Sequence, residues 1–248
     1  MLSQQEQLRY SRQMMVSKIG EQGQLKLQQA SVLIVGMGGL GNPMVAYLGS
    51  AGLGKLVLVD GDDIDYTNLQ RQVLFTEQDV GANKAETLQQ FMQNQNSAVD
   101  IEVVDEMLDE ELAEYYIPQV DVVIDCTDNI ETRYLLNRLC VSHKVPLIVG
   151  AATGFDGQHM VVNSNEQDNA CYECLFPSSQ KAPIVNCQTV GIVGPVLSII
   201  AGMQALHTIK LITGLPVKYN TLFAFDGMDM QWQQFTIGKQ ESCPICNQ

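Results

Sequence analysis

Residues 32–41 read VLIVGMGGLG, an apolar run that leads directly into a glycine turn. Gly36, Gly38 and Gly41 form the pattern GxGxxG between a strand-like and a helix-like segment. Small residues let such a turn approach a phosphate, and the N-terminus of the next helix offers free N–H groups. A second apolar run, KLVLVD, ends at Asp60, whose spacing from Gly41 suits a hydrogen bond to a ribose hydroxyl. The stretch predicts a nucleotide site, and the alternative is a tight turn that serves packing only.

Apolar runs and helix-patterned segments then alternate. The runs lie at 31–36, 55–60, 99–104, 120–125 and 146–151, and the helical segments lie near 41–52, 82–96, 109–116 and 129–143. This order is typical of β-α-β units, so we predict an α/β fold with a Rossmann-like parallel sheet. From about residue 152, apolar and polar residues alternate in GFDGQHMVVN, TLFAFDG and MQWQQFTIG. These segments predict antiparallel strands with one covered face that continue the sheet, with a long apolar helix after Pro195 between them.

The remaining segments complete a single unit. Ser3 followed by Glu6 fits a capping box, which predicts a helix from residue 3 to about 19 with GEQG as its stop. The loop 177–189 has two prolines and no periodicity, so we expect it to be flexible. No linker rich in Pro, Ser or Gly interrupts the chain, which favours one continuous domain over residues 1–248.

The composition limits the partners. The chain has 248 residues, is 46% apolar and carries a formal net charge of -14, which argues against nucleic acid or a membrane as a partner. The N-terminus lacks the apolar core of a secretory signal, so we expect a cytoplasmic protein. Residues 182–209 contain no Asp, Glu, Lys or Arg and are long enough to span a bilayer. Gly191, Gly194 and Pro195 interrupt the start of this stretch, which favours a buried helix of a globular protein.

Polar and cationic residues follow Asp60. Asn68 and Arg71 lie in DGDDIDYTNLQRQ, and Lys84 lies in VGANKAE. NAD and ATP both contain ribose and phosphates, but a triphosphate needs cations to stabilise a leaving pyrophosphate, whereas hydride transfer does not. The pattern favours ATP, with an NAD-dependent oxidoreductase as the distant alternative. Either cation taken alone is more often a solvated surface charge.

The fourth apolar run ends in VVIDCTDNIETR, which supplies Asp125, Asp128 and Asn129. Ligands of open parallel sheets bind beyond the carboxyl ends of the strands, so Asp128 could hold a phosphate-bound Mg²⁺. The alternative is that Thr127 or Asp128 caps the following helix.

Four of the seven cysteines form two CxxC pairs, Cys171 with Cys174 and Cys243 with Cys246. Four thiolates suit one tetrahedral ion, so a structural zinc site is favoured over disulfides or a redox CxxC. Sixty-eight residues separate the pairs, so the site would fasten the C-terminal tail to the body of the protein.

The other cysteines differ in their surroundings. Cys126 and Cys140 are predicted to be packed, whereas Cys187 lies in the 177–189 loop, where a reactive thiol could be exposed. An inert loop cysteine is the alternative. The histidines are scattered in the sequence and are expected to be ordinary surface or core residues: His143, His159 and His207.

Several motifs in order resemble a known family. They are RYSRQ at 9–13, GMGGLG, DGDDIDYTNLQRQ, Lys84, CTDN at 126–129 and the two CxxC pairs. Together they are similar to the bacterial ThiF/MoeB family, relatives of the ubiquitin-activating enzymes, over nearly the whole chain. The resemblance implies an adenylyltransferase that uses ATP and Mg²⁺ on the C-terminal glycine of a ubiquitin-like sulfur carrier protein. It also implies N-terminal helices in 1–30, a nucleotide-binding half in 31–151, and a carrier-binding and zinc half in 152–248.

The resemblance also assigns roles to residues. Gly39 would approach the α-phosphate, Asp60 would hold the ribose, and Asp128 would coordinate Mg²⁺. The residues implied to contact the nucleotide are Gly38, Gly39, Gly41, Asp60, Thr67, Asn68, Leu69, Gln70, Arg71, Lys84, Asp128 and Asn129. Arg12 would reach across a homodimer to the partner's nucleotide, and Cys187 matches a loop cysteine proposed to take the activated carrier.

Two branches of the family differ in their carrier. The carrier is ThiS in the thiamine branch and MoaD in the molybdopterin branch. The segments GFDGQHMVV, CQTVGIVGPV and FDGMDMQW are more similar to the thiamine branch, but a cysteine at the position of Cys187 occurs in both. No sulfurtransferase extension follows in this sequence, so we expect sulfur to come from a separate donor such as a desulfurase.

Overall fold

The computed structural model describes residues 1–165, 168–179 and 191–247. The strands are β1 Ser31–Val35, β2 Lys55–Val59, β3 Asp100–Val104, β4 Val122–Asp125, β5 Leu147–Thr153, β6 Asp156–Val162, β7 Thr221–Asp226 and β8 Gln231–Thr236. The helices are α1 Gln4–Arg9, α2 Ser11–Met14, α3 Gly20–Gln29, α4 Gly41–Ser50, α5 Lys84–Gln95, α6 Glu110–Tyr116, α7 Ile130–His143, α8 Tyr172–Leu175 and α9 Gly194–Thr213. Short 3-10 turns occur at Tyr66–Asn68, Glu77–Asp79 and Ile117–Gln119.

The strands form one eight-stranded sheet in the order β3-β2-β1-β4-β5-β6-β7-β8. The five strands from β3 to β5 are parallel, and β6, β7 and β8 add to the sheet as antiparallel neighbours. The predicted Rossmann-like sheet and its antiparallel continuation are confirmed. The chain moves outward from β1 through β2 to β3 and then returns to the other side of β1 with β4. A ligand crevice is expected at this reversal, beyond the carboxyl ends of β1 and β4.

Helices cover both faces of the parallel strands because alternate strand residues point to opposite sides. Val32 and Ile34 of β1 pack with residues of α3, α4, α5 and α9, whereas Leu33 and Val35 pack with residues of α6, α7 and α8. The near-continuous apolar runs in the sequence therefore reflect strands that are buried on both faces.

The helix α9 lies against the sheet and contacts α3, α4, β5 and β6. Pro195 occupies its first turn, as predicted, and Gly214 ends it in a left-handed conformation. Among the described residues it is the one helix that is long and apolar enough to cross a bilayer. Half of its apolar 18-residue stretch is buried inside the protein. A Cβ at Gly157 of β6 would lie 2.4 Å from Ile200, so the glycine lets the helix approach the strand closely.

Two sequence predictions are wrong in detail. The helix over 3–19 is divided into α1 and α2, and GEQG begins α3 instead of ending a helix, although the capping box of Ser3 is present. The reason is tertiary: Tyr10 is buried between the two short helices, where its hydroxyl accepts a hydrogen bond of 2.9 Å from Asn96 Nδ2.

All six residues of β8 are exposed, so this edge strand does not have the covered face that the sequence predicts. The predicted flexible loop 177–189 lies mostly outside the described residues.

Two histidines that are distant in sequence form a buried pair. His159 Nδ1 lies 3.2 Å from the Val149 carbonyl, and His159 Nε2 lies 2.7 Å from His207 Nδ1. Since Nδ1 of His159 donates to the carbonyl, its Nε2 accepts the proton carried by His207. Burial, with a smaller contribution from His207, lowers the pKa of His159 to about 3. The pair is therefore neutral core at physiological pH, while His143 is partly exposed and contacts Glu114.

We predict that Gly41→Ala destabilises the fold by about 3 kcal/mol, because its Cβ would lie 1.9 Å from the Gly36 carbonyl oxygen. Gly202→Ala is the matched control, since nothing lies within 4 Å of its Cβ position inside α9. It should stabilise by about 0.5–1 kcal/mol. Urea unfolding of both variants measures the difference, and equal stabilities would contradict this account of the glycine turn.

Candidate active site

A cleft of about 430 Å³ opens at the carboxyl ends of β1, β2 and β4. The structure brings eight of the residues predicted to contact nucleotide into its lining: Gly38, Gly39, Asp60, Asn68, Arg71, Lys84, Asp128 and Asn129. The volume lies within the range of small-molecule sites, and the position is that of the expected crevice.

The glycine turn forms one wall of the cleft, and its glycines serve different purposes. Gly36 has φ 89°, and a Cβ there would lie 2.9 Å from the Cys126 carbonyl oxygen at the end of β4. Gly39 must also lack a Cβ, because Leu197 of α9 occupies that space. Gly38 has its nearest neighbour at 3.7 Å. Packing therefore requires Gly36, Gly39 and Gly41, while the space beside Gly38 is available to a ligand.

The helix that follows the turn is uncapped. Leu40 occupies the N-cap position of α4 and makes no side-chain cap hydrogen bond. In the first turn of α4 the Asn42 N–H donates to the Gly38 carbonyl at 2.9 Å and Pro43 has no N–H, so the N–H groups left for a ligand there are those of the glycine turn and Gly41, at the positive end of the helix dipole. The beginning of α4 is therefore suited to a phosphate.

Asp60 is buried at the end of β2 and accepts hydrogen bonds from the backbone N–H groups of Met37, at 2.6 Å, and Asp62, at 2.8 Å. Burial raises the pKa of its carboxyl group, and the charge of Lys84 together with these N–H groups opposes the rise. The first bond also fixes the turn to β2. The carboxylate lies in the lining of the cleft, as a ribose acceptor must.

The two predicted cations reach the cleft from separate segments. Lys84 begins α5, and its Nζ lies 2.7 Å from Asp62, with only 8% of the lysine side chain exposed. Arg71 follows a 3-10 turn and donates from Nη1 to the Thr67 carbonyl at 3.0 Å. Neither is a freely solvated surface charge, since each contacts the protein and lines the cleft.

The turn from β4 to α7 forms the opposite wall. The Asn129 side chain caps α7 by accepting from the N–H groups of Glu131 and Thr132. Thr127 instead donates from its N–H and its hydroxyl to Asp125, at 2.9 and 2.7 Å. The alternative prediction that Thr127 or Asp128 caps the helix is therefore wrong. The exposed side chain of Asp128 borders the cleft.

Arg133 was not selected from the sequence, yet it lines the cleft with only 8% of its side chain exposed. It contacts Asp125 with Nε at 2.5 Å. Burial alone lowers the pKa of Arg133, but the charge of Asp125 more than compensates and holds it above the ordinary value. The sequence did hold a signal: Arg133 shares the periodicity of Leu136, Asn137 and Cys140, and a cation on a buried helix face needs a partner.

Two further lining residues were missed. Asp62 supplies the carboxylate that pairs with Lys84. Gln72 is 3% exposed, and no described residue forms a hydrogen bond with its Oε1 atom. No spacing rule distinguishes such side chains in DGDDIDYTNLQRQ, because their role depends on the folding of the loop back over β1.

Several predicted site residues do not line the cleft within the described part of the chain. The cleft lining omits four of them, each of which is a sequence neighbour of a lining residue: Gly41, Thr67, Leu69 and Gln70. Arg12 is exposed on α2 and contacts Met15. Cys187 lies outside the described residues, so its predicted reactivity is not tested. Cys126 and Cys140 are buried, and burial raises the pKa of both thiols, which confirms that they are packed.

The two CxxC pairs converge at the base of α8. The sulfur atoms of Cys171, Cys174, Cys243 and Cys246 all lie within 4.8 Å of one another. The Cys171–Cys243 and Cys174–Cys246 sulfur distances are 3.6 and 3.4 Å. Tetrahedral zinc with bonds near 2.3 Å needs sulfur separations of about 3.8 Å. The cluster fits zinc, and it joins the C-terminal tail to α8.

A second cavity of about 1370 Å³ adjoins the cleft and lies over β5, β6, β7 and α8. The two share Asp128, Arg133, Ala151 and Ala152 in their linings. Apolar rings line much of the second cavity, including Tyr134, Phe176 and Phe225. The shared wall means that a ligand in the second cavity can meet a ligand in the cleft.

A doubly wound sheet with a glycine turn and a cation-lined cleft defines a nucleotide-binding α/β protein, and its four-cysteine cluster could hold a structural metal ion. The chain belongs to the ThiF family, whose model matches residues 10–245.

Named relatives and solved structures agree with this assignment. The chain is 41% identical over 239 residues to the sulfur carrier protein ThiS adenylyltransferase of Escherichia coli (strain K12), covering 96% of this chain and 94% of the relative. It is 41% identical to the adenylyltransferase and sulfurtransferase MOCS3 of Culex quinquefasciatus, covering 99% of this chain but 56% of that relative. The crystal structure of E. coli MccB with ATP has a TM-score of 0.83 and 25% identity, and the match covers 96% of this chain and 74% of that chain.

We predict that Cys243→Ser releases zinc and lowers the free energy of unfolding by about 4 kcal/mol, since structural zinc binds the folded state only. Cys140→Ala is the control, because Cys140 is a buried cysteine of α7 that is not one of the four grouped sulfur ligands, so its variant should keep the metal. Elemental analysis and thermal unfolding with and without a chelator measure both effects. Native protein purified without chelators that holds no zinc would refute the metal assignment.

Proposed function

We propose that this protein uses ATP to adenylate the C-terminal carboxylate of a ubiquitin-like sulfur carrier protein. The observation that carries the proposal is the meeting in one cleft of the glycine turn, Asp60, Arg71 and Lys84, which come from separate segments. The ThiS adenylyltransferase of E. coli matches this chain over 94% of its own length, so the similarity extends through the whole catalytic unit.

The reaction is an in-line displacement. A carboxylate oxygen of the carrier forms a bond to the α-phosphorus while the bond to the bridging oxygen of the β-phosphate breaks, and pyrophosphate leaves with that electron pair. The nucleophile has no proton to lose, so catalysis consists of positioning and of stabilising the charge that moves onto pyrophosphate.

The lining residues have roles that follow from their chemistry. Asp60 accepts hydrogen bonds from the ribose, and the start of α4 beside Gly38 and Gly39 faces the α-phosphate. Arg71 and Lys84 bind the other phosphates, with Asn68 as a polar neighbour. Carboxylate oxygens are hard donors that suit Mg²⁺, so the exposed carboxylate of Asp128 at the cleft would hold this ion. The ion would neutralise phosphate charge.

The second cavity is suited to the carrier's tail. The terminal glycine must reach the α-phosphate, and the cavity over β5 to β7 opens into the cleft beside Asp128 and Arg133. A tail laid along it would enter the cleft carboxylate first. Ala151 and Ala152 line both cavities, and their small side chains leave room there for the glycine end of such a tail.

We propose ThiS as the carrier, because the relative named for ThiS is matched over nearly its full length. MoaD is the second candidate, since a relative with a different name, MOCS3, is also 41% identical. Any covalent role of Cys187 stays a prediction from the resemblance.

We also propose that the active form is a homodimer. Arg12 lies outside the cleft of its own chain, and its neighbours Leu8 and Met15 expose 78% and 73% of their apolar side chains. Covering these side chains against a second copy would bury Arg12 in an interface. From there it could reach the partner's nucleotide.

Exchange of labelled pyrophosphate into ATP tests the function. With purified protein, ATP and Mg²⁺, we expect exchange to depend on ThiS and to be faster with ThiS than with MoaD. The matched control is ThiS without its terminal glycine, which should support none. If folded protein catalysed no exchange with either carrier, the proposed function would be wrong.

We predict that Lys84→Ala lowers the carrier-dependent exchange rate about 10²–10³-fold, comparable to removing a donor from a charged transition state. Folding should persist, because the partner left behind, Asp62, has 53% of its side chain exposed and can be hydrated. Lys55→Ala is the matched control, since Lys55 forms a surface ion pair with Glu102. Equal rates in the two variants would exclude Lys84 from the reaction.

A further inference from the structure

The guanidinium of Arg133 lies where the nucleotide cleft meets the second cavity, and it lines both. Its side chain is only 8% exposed. A buried cation at the boundary between two ligand sites is costly to keep unless it has a specific set of partners.

The hydrogen-bond partners of Arg133 lie in three different parts of the site. The Arg133 Nε atom donates to Asp125 at the end of β4, at 2.5 Å. Its Nη2 atom donates to the Thr127 carbonyl at 2.8 Å and to the Gly150 carbonyl of β5 at 3.1 Å. One planar group thereby joins β4, the turn that follows it, and the neighbouring strand.

Further hydrogen bonds fix the β4–α7 turn independently of Arg133. Asp125 accepts from both the N–H and the hydroxyl of Thr127, and Asn129 is fixed as the cap of α7. Asp128 lies between these two fixed residues. Among the described residues, no hydrogen bond or ion pair engages its carboxylate, which faces the boundary of the two cavities.

We propose that Arg133 is a positioning residue for adenylation, which fixes the β4–α7 turn so that Asp128 stays at the boundary where the carrier's carboxylate meets the nucleotide. This inference rests on the proposed function. Arg133 acts through Asp128, because its Nε and Nη2 atoms are engaged by Asp125, Thr127 and Gly150 of the protein itself.

Arginine suits this role better than lysine. A guanidinium donates in several fixed directions at once, whereas an ammonium on a flexible stem can satisfy the Asp125 charge without holding both carbonyl groups. Tyr172 of α8 lies with its ring 5.8 Å from the guanidinium carbon and restricts its movement from the side of the second cavity.

The competing explanation is an ion pair that only stabilises the fold. A double-mutant cycle distinguishes the positioning role from a purely structural ion pair. If Arg133 acts through Asp128, the free-energy effects of the two substitutions do not add, whereas the effects of independent sites do. The test uses Arg133→Lys and Asp128→Ala, singly and together, in the full-length protein. Arg138→Lys is the matched control, since Arg138 lies on the same helix in an exposed pair with Glu110.

We expect Arg133→Lys to lower the ThiS-dependent turnover about 30–100-fold, as misplacement by about 1 Å does elsewhere. The Mg²⁺ concentration for half-maximal ATP binding, measured by calorimetry without carrier, should rise at least about 5-fold. ATP binding without Mg²⁺ should change by less than about 3-fold. In the Asp128→Ala background, Arg133→Lys should add less than about 3-fold to either effect, and Arg138→Lys should change nothing.

Multiplicative effects in the double variant, or an unchanged Mg²⁺ requirement in Arg133→Lys, would overturn the inference. If Arg133→Lys does not fold, Thr127→Val replaces it, because it removes the hydroxyl bond to Asp125 and so weakens the hold on the turn while retaining Arg133 and the Thr127 N–H bond. It should raise the Mg²⁺ requirement in the same way, and no change would likewise overturn the inference. The binding measurements need no carrier, so a failure of the proposed function with both carriers would be recognised separately in the exchange assay.

Discussion

The contact between the ends of β1 and β4 is the constraint on which the site depends. The two strands are parallel neighbours, but the helices that follow them, α4 and α7, cover opposite faces of the sheet. The chain therefore separates above their carboxyl ends, and a crevice is left. Gly36 brings its backbone against the Cys126 carbonyl, where a side chain would lie at 2.9 Å. This approach places the glycine turn and the β4–α7 turn on facing walls.

The charges in the cleft belong to two kinds of ion pair. Lys84 is paired with Asp62, whose side chain is 53% exposed, so water can solvate the acid when the ammonium turns to a phosphate. Arg133 is paired with Asp125, whose side chain is 0% exposed and has no such alternative. Separation of the second pair would leave a buried carboxylate without its charge partner. The Lys84 pair can therefore separate without leaving a buried unpaired charge, whereas the Arg133 pair cannot.

The four-cysteine cluster is connected to the active site by a short path. Cys171 and Cys174 border and form part of α8, whose Tyr172 covers the guanidinium of Arg133. The backbone N–H of Tyr172 also donates to Asn137 of α7, at 2.9 Å. A metal ion held by the four cysteines would fasten the tail to α8 and so support the wall shared by the two cavities.

Sequence alone determined the order of elements, the parallel and antiparallel parts of the sheet, the glycine turn and the cysteine pairs, because these depend on local periodicity and spacing. Spacing and charge also singled out Asp60, Arg71, Lys84 and Asp128, and the resemblance carried by ordered motifs added specific roles for them. Only the tertiary structure decided that Arg133 lies at the boundary of two cavities, since its partners on β4 and β5 are brought together by strand pairing. It likewise decided the break at Tyr10, because that ring packs on residues from distant segments. Local pattern specifies which face a residue occupies, whereas the neighbours across that face are set by the fold.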